Sequence, residues 1–470
     1  MSAVHSYAVP SVELECSPGR IDPLLVGGVF LALAFGVLDM GAVQVEAQFV
    51  LRTVAAALFV LWAISQLVRG ELRIAPSPLY APALAFMGLA IIQLVSGVTA
   101  YRHDTLVELL NVGCYGVLAF VMLQSLRSAY TDKLTLGISG FGLAVAVFAL
   151  LQSFASNGKL FWMVQVPTDA FFFGPYVNHN HYAGLMEMLI PFPLIFTAQR
   201  SLSVARRMFF ALSAVVMGVS IVVSGSRGGV VALGCQVLLL ALIGRFTRMK
   251  RGAAAALLVI LMAMAVLLAV VADSAVAARI GTLREPSRAD VAGWRMHLNR
   301  DSLAMWRARP ILGWGLGTFP TVYPQFRSFY DDVPIHEAHN DYMQLLAETG
   351  AIGGLITIWF LVAVFRQGWR NLSQSRASGD KGITIAAIVS ISGILIHSVS
   401  DFNLHIPANA ALFFAMCAIA AAPVTQRTKS SDEKHLGGKG YVAPGDSPDV
   451  EALEGVAEFP QRLRVVARRS

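Results

Sequence analysis

Apolar residues gather in long runs along most of this chain, at residues 22–39, 48–68, 79–98, 105–124, 134–155, 182–198, 208–224, 229–244, 252–272, 342–366, 382–400 and 405–422. A run of about 20 residues crosses the hydrocarbon core of a bilayer as one α-helix. A helix is required there because its backbone N–H and C=O groups satisfy one another without water. The pattern predicts an all-α integral membrane protein with about 12 transmembrane helices over residues 22–422. Residues 1–21 form a polar tail, and 423–470, rich in charge, Gly, Pro and Ser, are expected to be a disordered tail. One connection, 273–341, is long enough to carry short helices of its own. The run at 342–366 carries Glu348 and the glycines Gly350, Gly353 and Gly354, which suggests a short surface helix followed by the span proper.

Composition supports this reading, with 56% hydrophobic and 14% charged residues, unlike most soluble domains. The net charge of +7 is a topology signal and not a nucleic-acid signal, because the basic residues crowd alternate short loops. Arg69, Arg73, Arg127, Lys133, Arg200, Arg206, Arg207, Arg245, Arg248, Lys250, Arg251, Arg366, Arg370, Arg376 and Lys381 occupy one set of loops. Only Arg102, Lys159 and Arg227 occupy the short loops of the other set. Both termini are therefore expected on the cytoplasmic side, with the long loop 273–341 outside. His179, His181, Arg227 and His339 then share the outer face. Cys114, Cys235 and Cys417 lie within apolar runs and Cys16 in the tail, so no disulfide or metal site is suggested. The first 20 residues lack a short apolar stretch with a cleavage site, so no removable signal peptide is expected.

The long outer loop has its own chemistry. Its basic residues are Arg279, Arg284, Arg288, Arg295, Arg300, Arg307, Arg309 and Arg327, with no Lys. A guanidinium grips phosphate as a planar fork, so the pattern points to a phosphate or pyrophosphate ligand. The alternative is contact with lipid head groups, or pairing with Asp290, Asp301, Asp331 and Asp332. Residues 290–308 fit an amphipathic helix, with Trp294, Leu298, Met305 and Trp306 near helical spacing and Arg295 and Asn299 on a more polar face. Pro310 stops it. The following Gly313-Trp314-Gly315-Leu316-Gly317-Thr318-Phe319 lacks the strand–helix setting of a dinucleotide site and fits a tight turn returning the chain to the membrane.

The most polar segment that leads into a span is His336-Glu337-Ala338-His339-Asn340-Asp341. Asn340 or Asp341 suits the N-cap, which would place His339 at a helix N-terminus where free N–H groups favour an anion. The bland alternative is a polar residue at a helix start. Asn178-His179-Asn180-His181-Tyr182 opens another span; with no carboxylate or Cys partner nearby, hydrogen bonding to a sugar or phosphate fits better than a metal. Ser224-Gly225-Ser226-Arg227-Gly228-Gly229 is a short outer turn whose small residues leave room around Arg227 for a bulky anion. The alternative there is an Arg reaching to head groups.

The short Ser-Arg-Gly-Gly turn, the long outer loop with its element from Pro310 to Phe319, and the His-Asn pair opening the next helix resemble the O-antigen ligase superfamily. That superfamily includes O-antigen polymerases and protein O-oligosaccharyltransferases. The resemblance is sharpest from Gly225 to Gly354, and the span layout extends it over 22–422. It implies a metal-independent, cofactor-free, inverting glycosyltransferase of the bacterial inner membrane with a periplasmic site. Its donor would be a glycan on undecaprenyl pyrophosphate; its acceptor would be lipid A core or another glycan, with membrane lipids around it. Carried onto this sequence, the general base is His339, and Arg227 and Arg295 hold the pyrophosphate. Asn180 matches an Asn at the start of the sixth span, and His336 and Asn340 complete the substrate-binding candidates. The family often has a second His two residues before the base; here that position is Glu337, which is left to orient the site. An ordinary imidazole, with a pKa of about 6.5, suits removal of a sugar hydroxyl proton near neutral pH.

Three other readings stay open. Within the superfamily the sequence does not separate a ligase from an O-antigen or exopolysaccharide polymerase, which extends a glycan chain, or from a protein-glycosylating ligase. A polysaccharide or lipid transporter would gather the span-embedded charges Glu187, Glu108 and Arg52 near mid-membrane. A structural membrane subunit would need no Arg-only loop.

Overall fold

The computed structural model describes residues 21–70, 72–166, 171–246, 291–330, 334–375 and 378–423. The expected span at 252–272, most of both tails including Cys16, and Arg248, Lys250, Arg251, Arg279, Arg284, Arg288, Asp290, Asp331, Asp332 and Arg376 lie outside the described residues.

The described chain is helical apart from a two-residue hairpin, β1 (Lys159–Leu160) with β2 (Val164–Gln165). In order, the helices are α1 (Asp22–Leu38), α2 (Val45–Val68), α3 (Tyr80–Val95), α4 (Arg102–Ser125), α5 (Thr131–Phe154), α6 (His179–Leu189) and α7 (Pro191–Thr197). They continue with α8 (Val204–Val223), α9 (Arg227–Phe246), α10 (Val291–Ala308), α11 (Phe319–Val322), α12 (Asp341–Gln374), α13 (Ser378–His397) and α14 (Pro407–Ala421). Seven of these, α2, α4, α5, α8, α9, α12 and α13, are long and apolar enough to cross a membrane, and α1, α3 and α14 are shorter apolar helices. This is the pattern of a multi-pass membrane protein.

The run expected as one span at 182–198 is two helices. Pro191 has no N–H to continue the ladder and takes the first position of α7, where a missing donor costs nothing. The sequence from His181 to Leu189 is buried throughout, so α6 runs through the protein interior. It packs on α13, α8 and α9, while α14 packs on α4 and α13.

The turn from Pro310 to Phe319 is spliced into a break in α12. Gly350 adopts φ 64 and ψ −168 inside that helix, which frees backbone groups on both sides of it. The N–H groups of Trp314 and Gly315 donate to the Ala347 and Glu348 carbonyls at 3.0 and 2.9 Å. In return, Ala351 and Ile352 donate to the Pro310 and Ile311 carbonyls at 2.8 and 3.3 Å. The Glu348 carboxylate accepts from the Gly317 and Phe319 N–H groups at 2.9 and 3.1 Å. The buried Gln93 of α3 closes the junction, donating to the Leu312 carbonyl at 2.6 Å and accepting from Leu316 N–H at 3.1 Å. Side chains are excluded: a Cβ on Gly313 would strike the Glu348 backbone, and one on Gly350 the Ile311 carbonyl. Gly313 and Gly350 thus let two backbones pack against each other, while Gly315 and Gly317 make room for the Thr99 and Glu108 side chains.

Candidate active site

The splice fixes the start of α12. Asn340 is its N-cap, with Oδ1 accepting from the N–H groups of Tyr342 and Met343 at 3.1 and 3.2 Å. Asp341 N–H donates to the carbonyls of Ser398 and Asp401 at 3.0 and 3.3 Å, tying this start to the turn after α13. His339, just before the cap, has φ 50, in the left-handed region that costs a non-glycine residue about 1–3 kcal/mol. Such strain persists where surrounding contacts over-determine it, and here the cap and the Asp341 bonds do so.

The side chains converge on Asp401, which is 1% exposed. His339 Nδ1 stands 3.5 Å from Asp401 Oδ1, and His181 Nε2 stands 3.9 Å from the same oxygen. Arg295 Nη2, from α10, is 4.0 Å from Oδ2. Phe402 packs edge-on against both imidazoles, with centroids 4.7 Å from His339 and 4.5 Å from His181. Trp294 closes the other side of His339 at 5.1 Å. Burial disfavours the Asp401 charge, but His339 in contact, with His181 and His397 behind it, holds the carboxyl below the usual carboxylate range. Burial is also the largest influence on Glu337 and raises its carboxyl, against the lowering effect of His405, His339 and His336.

The cluster is under-satisfied. Buried atoms without a hydrogen-bond partner include His179 Nδ1, His181 Nε2, His339 Nδ1, Arg295 Nε, Asn299 Oδ1, Asp401 Oδ2, Ser398 Oγ and Asn403 Nδ2. Buried polar atoms in native interiors have partners, and several of these belong to the residues that face Asp401, where a water or a polar ligand would supply them.

His339, Arg295 and His181 are thus brought together. Arg227 is the exposed first residue of α9, whose N-terminus is capped by Ser226 Oγ accepting from Gly229 N–H at 3.1 Å. Asn180 is half-buried in the first turn of α6, and His336 is exposed. No described contact joins these three to Asp401. Asn340 spends its side-chain oxygen on the α12 cap. Asp401 and Phe402 are the residues that sequence reasoning missed. They occupy the short connection between the runs at 382–400 and 405–422, and the loop alternation placing His339 outside places Asp401 there too.

Behind the α12 N-terminus, the Asp341 carboxylate meets His405 Nδ1 at 2.7 Å and accepts from Leu404 N–H at 3.2 Å. Burial works against a charged His405, but the Asp341 hydrogen bond and charge, with Glu348 and Glu108 beyond, push its imidazole up to about 9. This pair is among the residues lining a mostly apolar cavity of about 590 Å³ between α2, α3, α4, α12 and α14, with Tyr80, Phe120 and Phe414.

The span-embedded charges form separate networks. Arg52 donates to Asn111 Oδ1 at 2.7 Å, and Asn111 donates to Glu108 at 3.0 Å, between α2 and α4. Glu187 instead meets His397 Nδ1 at 2.8 Å, between α6 and α13. Among the described residues they do not gather in one network, the arrangement that would have favoured a transporter.

These helices and this cluster define a polytopic membrane protein with a polar site at one end of its bundle. The family model described as O-antigen ligase matches residues 212–358, from α8 into α12, a stretch containing Arg227, Arg295, His336, His339 and Asn340. Over this stretch the chain is similar to the O-antigen ligase superfamily. A search of curated proteins gives no match.

Proposed function

We propose that this protein transfers a glycan from undecaprenyl pyrophosphate to a sugar hydroxyl of the lipid A core, on the periplasmic side of a bacterial inner membrane, with both termini cytoplasmic. The observation that carries the reading is the buried Asp401 facing His339 amid unpaired polar atoms.

In this mechanism Asp401 faces His339 Nδ1 and stabilises the imidazolium that forms, which leaves Nε2 for the acceptor hydroxyl. Nε2 takes the hydroxyl proton as the oxygen attacks the anomeric carbon from the face opposite the leaving group. The bond from that carbon to the pyrophosphate oxygen breaks, its electron pair leaves with the pyrophosphate, and the configuration inverts. The growing negative charge meets Arg295, Arg227 and the N–H groups at the start of α9. Asn180 and His336 contact sugar hydroxyls at the margin, and Asn340 acts through the cap that presents His339. The apolar cavity of about 590 Å³, whose lining includes Asp341 and Tyr342 at the start of α12, gives the polyprenyl chain a berth.

The test is turnover by purified protein in lipid, given undecaprenyl-pyrophosphate glycan with and without lipid A core, beside His339→Ala. Transfer to core that the variant loses supports the ligase. Chain lengthening without core, also lost in the variant, makes the protein a polymerase. No donor consumption by folded wild type with either acceptor overturns the enzyme.

A further inference from the structure

One buried ionisable pair takes no part in that reaction. Glu187 of α6 and His397 at the end of α13 meet at 2.8 Å, with side chains 0% and 1% exposed. Burying such a pair costs desolvation that its attraction often fails to recover, and apolar replacements are frequently at least as stable. Ionisable groups kept inside a membrane domain therefore call for a functional explanation.

The neighbours of the pair supply one. The first turn of α9 rests directly on it. A Cβ on Gly228 would lie 2.6 Å from His397 Nε2, and one on Gly229 would lie 3.2 Å from Glu187 Oε1 and 2.7 Å from Ala183 Cβ. The two residues after Arg227 thus lack side chains where the imidazole and carboxylate fill the space. The pair is anchored in turn: Gln236, two turns further along α9, donates to the backbone carbonyls of Glu187 and Val389 at 2.7 and 3.1 Å. His397 also opens the segment that carries Ser398 and Asp401, whose carbonyls hold Asp341. The pair therefore stands where the helix ends bearing Arg227, the Asp401 turn and α6 meet.

We propose that Glu187 and His397 are positioning residues that seat the first turn of α9, so that Arg227 and the adjoining N–H groups are aimed at a lipid pyrophosphate. The proposal rests on the assignment of Arg227 to the pyrophosphate. It makes the pair a determinant of donor affinity, without contact to the reacting atoms.

The experiment measures binding of undecaprenyl pyrophosphate, and separately of undecaprenol, to the full protein in nanodiscs with no acceptor present. Glu187→Ala removes the seat, and Glu187→Gln keeps a hydrogen-bonding group against His397. Gly228→Ala keeps both ionisable groups but sets a methyl against the His397 ring, so that the turn can no longer seat on it. Glu187→Ala and Gly228→Ala are expected to weaken pyrophosphate binding about tenfold, the scale of one lost charge-assisted hydrogen bond, while undecaprenol binding holds. Glu187→Gln is expected to stay within about threefold of wild type, as a conservative rescue. Equal loss for both lipids, or no loss in Gly228→Ala, overturns the proposal. Should Glu187→Ala fail to fold, Gly228→Ala alone decides. Wild type that binds no lipid pyrophosphate would instead defeat the assignment of Arg227, so the two failures are distinguishable.

Discussion

His339 and Asp401 face one another, Nδ1 to Oδ1 at 3.5 Å, across the junction between the start of α12 and the turn that follows α13. Neither is near the other in sequence. Their meeting depends on the Asp341 N–H, which binds the Ser398 and Asp401 carbonyls and docks the two segments.

Asp401→Asn should therefore lower kcat by roughly 10²–10⁴-fold, the range associated with a positioned base and its orienting carboxylate, while KM for the donor changes little. The Asp401 carboxyl is held below its usual range, so its ionised state is kept above that range and lost only as pH falls through the depressed value. Steady-state kinetics from pH 5 to 8 should show no limb that disappears specifically in Asp401→Asn. Such a limb would contradict a permanently ionised Asp401.

Arg295→Lys keeps the charge but loses the planar fork. If Arg295 grips pyrophosphate in two places, the variant should bind the lipid pyrophosphate about tenfold more weakly, a loss of about 1.4 kcal/mol. Titration with undecaprenyl pyrophosphate checks this; an affinity equal to wild type would remove Arg295 from the pyrophosphate.

The Asp341–His405 pair should make stability fall in alkali. His405 is raised to about 9, so its contribution is fully present below the ordinary histidine pKa and is lost as pH rises through about 9. Thermal unfolding should give a lower Tm at pH 9.5 than at pH 6.5, and Asp341→Asn should flatten that part of the profile. An unchanged slope in the variant would count against the pair as its source.

Gly350→Ala should fail at the splice. At φ 64 and ψ −168, a region essentially reserved for glycine, a side chain costs about 1–3 kcal/mol, and its Cβ would also strike the Ile311 carbonyl. A loss of at least about 2 kcal/mol is expected, visible as a lower yield of monodisperse protein and a lower Tm. Gly354→Ala, whose Cβ would meet only the end of the Leu346 side chain, is the control and should be mild.

The apolar runs made most of the helices legible, because a segment in hydrocarbon must satisfy its own backbone and only a helix does so alone. The break at Pro191 was also available in the sequence: a proline inside an apolar run cannot continue the ladder. Asn340 was legible as a cap because capping is local, needing only its own oxygen and the N–H groups two and three residues on. His339, Arg227 and Arg295 stood out as chemistry-bearing residues beside a membrane face.

What the sequence by itself determined is thus the local part: helices, a cap, a glycine-rich turn, and a supply of imidazole and guanidinium groups along the chain. Tertiary structure alone decided that Asp401 is the hub, that Phe402 packs both His181 and His339, that Glu187 meets His397, and that the turn from Pro310 fills the break at Gly350. Each of these joins segments whose spacing along the chain carries no periodic signal. Each also depends on which helix faces which, and that is settled by packing over the whole bundle, since hydropathy along one run shows that a helix is buried without showing against what.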